Sequence, residues 1–166
     1  MGEAKVGSEF ITHEFDEAIA IQQVIVDAES SLATTHPVAS AKRAIKAALT
    51  VDKKYLQQLR QLGEEHDATG KVEDVAGGLK ELLESTVQKA TSEGAASDYY
   101  EAHAVLLNLK RKQMDSAGGM VAIARDQKDT ELRDAAKAFK AGQKETSEDL
   151  TKELAGFAVQ IASGAS

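Results

Sequence analysis

Apolar residues recur along this chain in alternating steps of three and four, the spacing that gathers side chains on one face of an α-helix. Ile11, Phe15, Ala18, Ile21, Ile25, Ala28 and Leu32 trace the first stripe and predict a helix over about 8–33. "TTHP" stops it, because the residue before a proline is pushed out of the α region. A second helix is predicted from Pro37, which fits a first turn, to about His66, where "DATG" closes it. Val75, Leu79, Leu82, Leu83 and Val87 mark a shorter helix over about 72–90, with Gly77 and Gly78 inside it. After the linker "TSEGAAS" a fourth helix runs from Ser97 or Asp98 to about Arg125. "DQKDT" is a tight polar turn in which Asp129 or Thr130 can cap the last helix. That helix carries Leu132, Ala136, Phe139, Leu150, Leu154, Phe157 and Ile161 inward, and "ASGAS" ends the chain.

Four long helices, each with one apolar stripe, can bury those stripes only against one another, so the pattern predicts an all-α, antiparallel four-helix bundle. The 72–90 helix would span about 28 Å at 1.5 Å per residue. A connection of that length returns the chain to the end it came from. It makes the second and fourth helices parallel, with the short helix as the crossover. Residues 1–10 are expected to be a disordered tail, in which "GSEF" resembles a cloning-site scar, and residues 11–163 a single domain.

Polar residues interrupt these seams at mid-height. In "IKAALTVDKKYLQQL" the inner row runs Ile45, Leu49, Leu56, Leu59, and the position completing it between Leu49 and Leu56 is Asp52. In the fourth helix His103, Leu107, Met114, Ala117, Val121 and Ala124 follow the same alternation, completed by Lys110. Parallel helices would set Asp52 and Lys110 at nearly the same level. Gln143 and Thr146 break the last stripe, and Gln22 and Gln23 flank the first at mid-length. The expectation is a central layer of Gln22, Asp52, Lys110 and Gln143, in which the carboxylate and the ammonium neutralise each other and the amides satisfy what remains. Helix phase drifts by about 20° per heptad, so flank positions for the same residues are the competing reading.

Composition narrows the function. The 166 residues include 27 acids against 20 Lys and Arg, a net charge of −7, with the basic residues dispersed. That is not the clustered basic footprint of a nucleic-acid binder. No run reaches the ~18 apolar residues of a membrane span, and no signal-peptide core is present. The absence of cysteine removes disulfides, thiolate metal sites and thiol nucleophiles. These features predict a soluble cytoplasmic protein with no nucleic-acid or membrane partner. There is no phosphate-binding glycine loop and no nucleophile elbow. Among the histidines, His36 and His103 should share one end of the bundle near Glu29 and Glu101, read either as surface or partly packed side chains, the commoner case, or as a peripheral Zn or Fe site. "SDYYEAH" is read either as a phenol and imidazole pocket or as aromatic packing on the crossover helix.

With these helices placed, the segments "AIQQVIV", "LKELLESTVQKA", "YYEAHAVLLNL" and "EDLTKELAGFA", with the short "RDQKDTEL" turn, resemble the ferritin-like superfamily. They are most similar to the bacterial stress-associated members that insert a short helix in the crossover, over about residues 12–158. In the metal-binding members of that superfamily, carboxylates and histidines meet at mid-bundle, commonly as Glu-x-x-His pairs. This chain has no Glu-x-x-His. Gln22, Asp52, Lys110 and Gln143 stand at the matching positions, and a lysine ammonium has no lone pair to offer a metal. The resemblance therefore implies the fold, a stress-associated structural or interaction role without a catalytic residue or cofactor, and allows a homodimer. The alternative is a di-iron or other metal-handling protein that draws on Glu14, Glu17, Asp52, Glu101, His103, Glu145 and Glu148.

Overall fold

The computed structural model describes residues 5–164. Among them are five α-helices and no strand: α1 (Ser8–Thr35), α2 (Ala39–Glu64), α3 (Leu79–Glu93), α4 (Ala96–Asp126) and α5 (Thr130–Ala162). A 3-10 turn at Ala76–Gly78 precedes α3. The helices form an all-α bundle in which α1 packs on α2, α4 on α5, α2 on α5 and α1 on α4, while α3 lies against α4 and α1.

Side-chain bonds fix the helix directions. Thr12 reaches the carbonyl of His66, and Gln22 reaches Asp52, so α1 and α2 run antiparallel. Ser40 bonds Glu153 and Tyr55 bonds the carbonyl of Ala138, which sets α2 against α5 the same way. His36 beside His103 and Asp52 beside Lys110 show α2 and α4 running in the same sense.

The helix ends follow local rules. Asp129 caps α5, its Oδ1 accepting the N–H of Leu132 at 3.0 Å, as the sequence leads one to expect. At the end of α4, Lys128 takes the left-handed conformation at φ 58°, and Asp129 N–H reaches back to Ala124 O at 2.8 Å. At the end of α2, Asp67 does the same at φ 58°, with Ala68 N–H on Gly63 O at 2.9 Å. Both are Schellman closures built without glycine.

Three boundaries differ from the sequence reading. The short helix starts at Leu79, not near 72, because Gly77 and Gly78 have φ of 61° and 88° and cannot continue a right-handed helix. Its 15 residues span about 22 Å, less than the 19-residue helix expected. Ser8, Glu9 and Phe10 belong to α1, so the expected tail over 1–10 shrinks, and residues 1–4 lie outside the described region. Pro37 lies ahead of α2, whose N-cap is Val38, and does not occupy its first turn.

The apolar interior falls into two clusters. One gathers Ile25, Leu32, Ile45, Leu83, Leu106, Leu150 and Phe157, and the other gathers Ile11, Phe15, Leu56, Ala124 and Leu132. On α2 the boundary between them falls at Asp52, on α4 at Lys110 and Gln113, and on α5 at Gln143. The polar residues divide the core into two halves.

Candidate functional site: a buried polar layer

Gln22, Asp52, Lys110 and Gln143 are each wholly buried, at 0% exposure, and they meet. Asp52 is the hub. Lys110 Nζ donates to its Oδ2 at 2.6 Å. Gln22 Nε2 donates to its Oδ1 at 3.0 Å and to its backbone carbonyl at 3.1 Å. Gln143 Nε2 also donates to Oδ1. Four helices thus converge on one carboxylate, and each supplies its group from a seam position where an apolar side chain would otherwise sit. Charge-assisted bonds of this kind are about twice as strong as neutral ones and become stronger still in a dry interior.

Two further buried groups belong to the layer. Gln113, one turn beyond Lys110 on α4, donates through Nε2 to Gln22 Oε1 at 3.1 Å and to Ala18 O at 2.9 Å. Glu29, two turns along α1 from Gln22, lies with Oε2 3.9 Å from Lys110 Nζ. The sequence carries a spacing signal for each, three residues from Lys110 and seven from Gln22 on their own faces, but Glu29 lies in this layer and not with the histidines. The donors run in one direction, Gln113 to Gln22 to Asp52.

Burial holds the Glu29 carboxyl well above the usual carboxylate range, and the Asp52 charge raises it further, against the opposing pull of Lys110. Among the layer's carboxyl groups, Glu29 is thus the one whose environment favours the protonated form.

The residues considered as metal ligands do not converge. Glu101, Glu145 and Glu148 are exposed. Glu17 is taken by Lys112 at 2.7 Å, and Glu14 lines a cleft near Phe15. Among the described residues no three His, Asp or Glu side chains gather in a way that could hold a metal ion. Both oxygens of Asp52 already accept from nitrogen donors. The donor set does not fit a di-iron centre.

The histidine end is a separate feature. His36 and His103 are buried, with ring centroids 5.9 Å apart, and His36 also packs on Tyr99 at 5.5 Å and Phe157 at 4.9 Å. The rings of Tyr99, Tyr100 and His103 pack on His36 and on Phe157 of α5, where the sequence reading gives aromatic packing on the crossover helix as one of its two alternatives. His103 Nε2 donates to Leu150 O at 2.8 Å, and His36 Nδ1 accepts from the Val38 N–H at 3.1 Å. Burial, the neighbouring His103 and Lys42 push the His36 pKa down to about 4, and burial also lowers that of His103. These tautomers leave His36 Nε2 carrying a proton, so His36 cannot offer that nitrogen to a metal while the Val38 bond stands. Glu29 and Glu101 do not complete a site there, since one sits beside Lys110 and the other faces solvent.

No helix is long and apolar enough to cross a membrane among the described residues. No family model and no curated protein matches the chain.

Proposed function

We propose that this chain is a non-catalytic, ferritin-like four-helix bundle with α3 as its crossover, in which a Gln/Asp/Lys network stands where relatives of that fold carry a di-metal site. Its role on this reading is that of a stress-associated structural or interaction protein of the cytoplasm, with no nucleic-acid or membrane partner. The observation that carries the reading is Lys110, whose buried Nζ lies 2.6 Å from Asp52 and 3.9 Å from Glu29. A fixed ammonium between two carboxyl groups supplies the positive charge that a cation would supply. It also repels any cation that approaches, with no protein rearrangement needed.

The resemblance in the helical segments supports the fold side of the proposal, and the shared sense of α2 and α4 is the direction a crossover requires. The metal-handling alternative would need Lys110 to leave the layer and carboxylates now exposed to enter it. Metal analysis of the purified protein, before and after anaerobic Fe(II) loading and then oxygen, separates the two. The expected result is no retained iron and no oxo-bridge absorption band. Near-stoichiometric iron with that band would overturn the proposal. Its stress and partner aspects are tested by whether deletion of the coding sequence changes survival under oxidative or starvation stress. Unchanged survival under both would remove that role.

A further inference from the structure

The layer holds more charge and more hydrogen-bonding capacity than an ion pair can use. As an ammonium, Lys110 Nζ carries three hydrogens, and among the described residues it makes one hydrogen bond, to Asp52 Oδ2 at 2.6 Å. Glu29 is wholly buried beside it, with Oε2 3.9 Å from Nζ. Neither oxygen of Glu29 has a hydrogen-bond partner among the described residues. Each unmet group in a dry interior costs more than a neutral hydrogen bond returns, and both ions forfeit their hydration.

The same groups are arranged as the reactants of an amide condensation. A primary amine stands against a carboxyl group, and the 2.6 Å contact puts Nζ within about 4 Å of Cγ. That is little beyond the ~3–3.5 Å of reacting atoms in a near-attack arrangement. The other carboxyl oxygen, Oδ1, accepts from Gln22 Nε2 at 3.0 Å and from Gln143 Nε2. Those two N–H groups meet the oxygen on which negative charge grows when an amine adds to Cγ, as the donors of an oxyanion hole do. Glu29 supplies the remaining requirement, a carboxyl group that gives a proton to the departing oxygen and takes one from the nitrogen. Burial favours its protonated form, the form that must donate first.

We infer that Lys110 and Asp52 condense within the folded chain into an isopeptide bond between α4 and α2, with Glu29 as the proton shuttle. Burial favours two neutral partners over two ions, so the ammonium first passes a proton to Oδ2 along their hydrogen bond. The free amine then adds to Cγ and forms the C–N bond. Glu29 gives its proton to Oδ2, the Cγ–Oδ2 bond breaks, water leaves to solvent, and Glu29 recovers a proton from the nitrogen. One C–N bond replaces one C–O bond, so the step needs no oxidant, reductant or activated donor. Enforced proximity in a wholly buried site favours the amide over the hydrolysed pair. The product keeps Oδ1 as an acceptor for both glutamines, removes both charges and reduces three N–H hydrogens to one. It also closes a loop across a separation of 58 residues and so restricts the unfolded chain. The inference rests on the meeting of these three groups and not on the ferritin-like reading, and mass and iron content are measured separately.

Intact mass spectrometry of the denatured full chain is the test. The expected mass is one water below that of the sequence, and proteolytic digestion should yield one branched peptide joining the segments around Asp52 and Lys110. Lys110→Met and Asp52→Ala should each show their full sequence mass. Glu29→Gln, with its helical circular dichroism retained, should form the bond about a hundredfold more slowly or slower still. Full sequence mass in the folded, unaltered chain after prolonged incubation at neutral pH would overturn the inference. So would a water loss that persists in Lys110→Met, since it would come from a succinimide elsewhere. An unchanged rate in Glu29→Gln would overturn the shuttle.

Discussion

Removing Asp52 tests the layer most directly. Asp52→Ala deletes the acceptor for Lys110, Gln22 and Gln143 at once and leaves an ammonium in the interior. Breaking a buried ion pair from one side costs about 3–5 kcal/mol. For a chain of this size that lowers Tm by roughly 6–20 °C, at about 2–4 °C per kcal/mol. Lys110→Met removes a group whose one hydrogen bond goes to Asp52, and its thioether chain fills most of the vacated volume. Asp52 then keeps Gln22 and Gln143 as donors, so the expected cost is smaller, about 1–3 kcal/mol. In the double variant the stranded ammonium is gone, and what remains is a small cavity, the Gln143 amide without its acceptor, and Gln22 with only the residue 52 carbonyl. The double variant should therefore lie about 2 kcal/mol or more below the sum of the singles. Urea titration followed by far-ultraviolet circular dichroism gives all three values, provided the slopes stay equal. Additivity within about 0.5 kcal/mol would mean that the two charges do not meet in a dry interior. A larger loss from Lys110→Met than from Asp52→Ala would refute Asp52 as the hub.

Glu29 should make the protein less stable as pH rises. Its folded pKa lies above the ordinary ~4.3 of the unfolded chain, so the folded state binds the extra proton. Stability is full below that value and falls as pH climbs through the raised pKa. Glu29→Gln should flatten that decline, and an unchanged slope in urea midpoints across pH would refute the assignment. His36 has the opposite sign, with its pKa lowered to about 4. Its contribution is present above about 6.5 and is lost as pH falls towards 4, so His36→Phe should make the acid limb shallower; an equally steep limb in acid titration by circular dichroism would argue against a neutral buried imidazole. At the α4–α5 turn, Lys128→Gly relieves a left-handed conformation worth about 1 kcal/mol, and Tm should rise by about 2–4 °C. A fall in Tm by calorimetry would contradict the Schellman closure.

The helices and the level of the polar layer were legible in the sequence because both are local properties. A stripe at helical spacing tells where a helix is, and a polar residue at a seam position stands out without reference to any other helix. Gln22, Asp52, Lys110 and Gln143 could be named that way. The start of α3 was not legible, since Gly77 and Gly78 are as compatible with close packing as with a left-handed break, and only the fold selects between them. The sequence reading sets Glu29 with the histidines and leaves Gln113 out of the layer, because acids and amides on a helix usually face water and the opposing helices turn these two inward. The same holds for the direction of the donor chain and the raised pKa of Glu29, whereas the shared end of His36 and His103 could be read from their places in the helices. By itself the sequence determined which residues form helices and where their apolar faces are broken. Tertiary structure alone decided that Glu29 and Gln113 join those faces and how the donors are ordered, because burial and hydrogen-bond geometry depend on what lies across the interface.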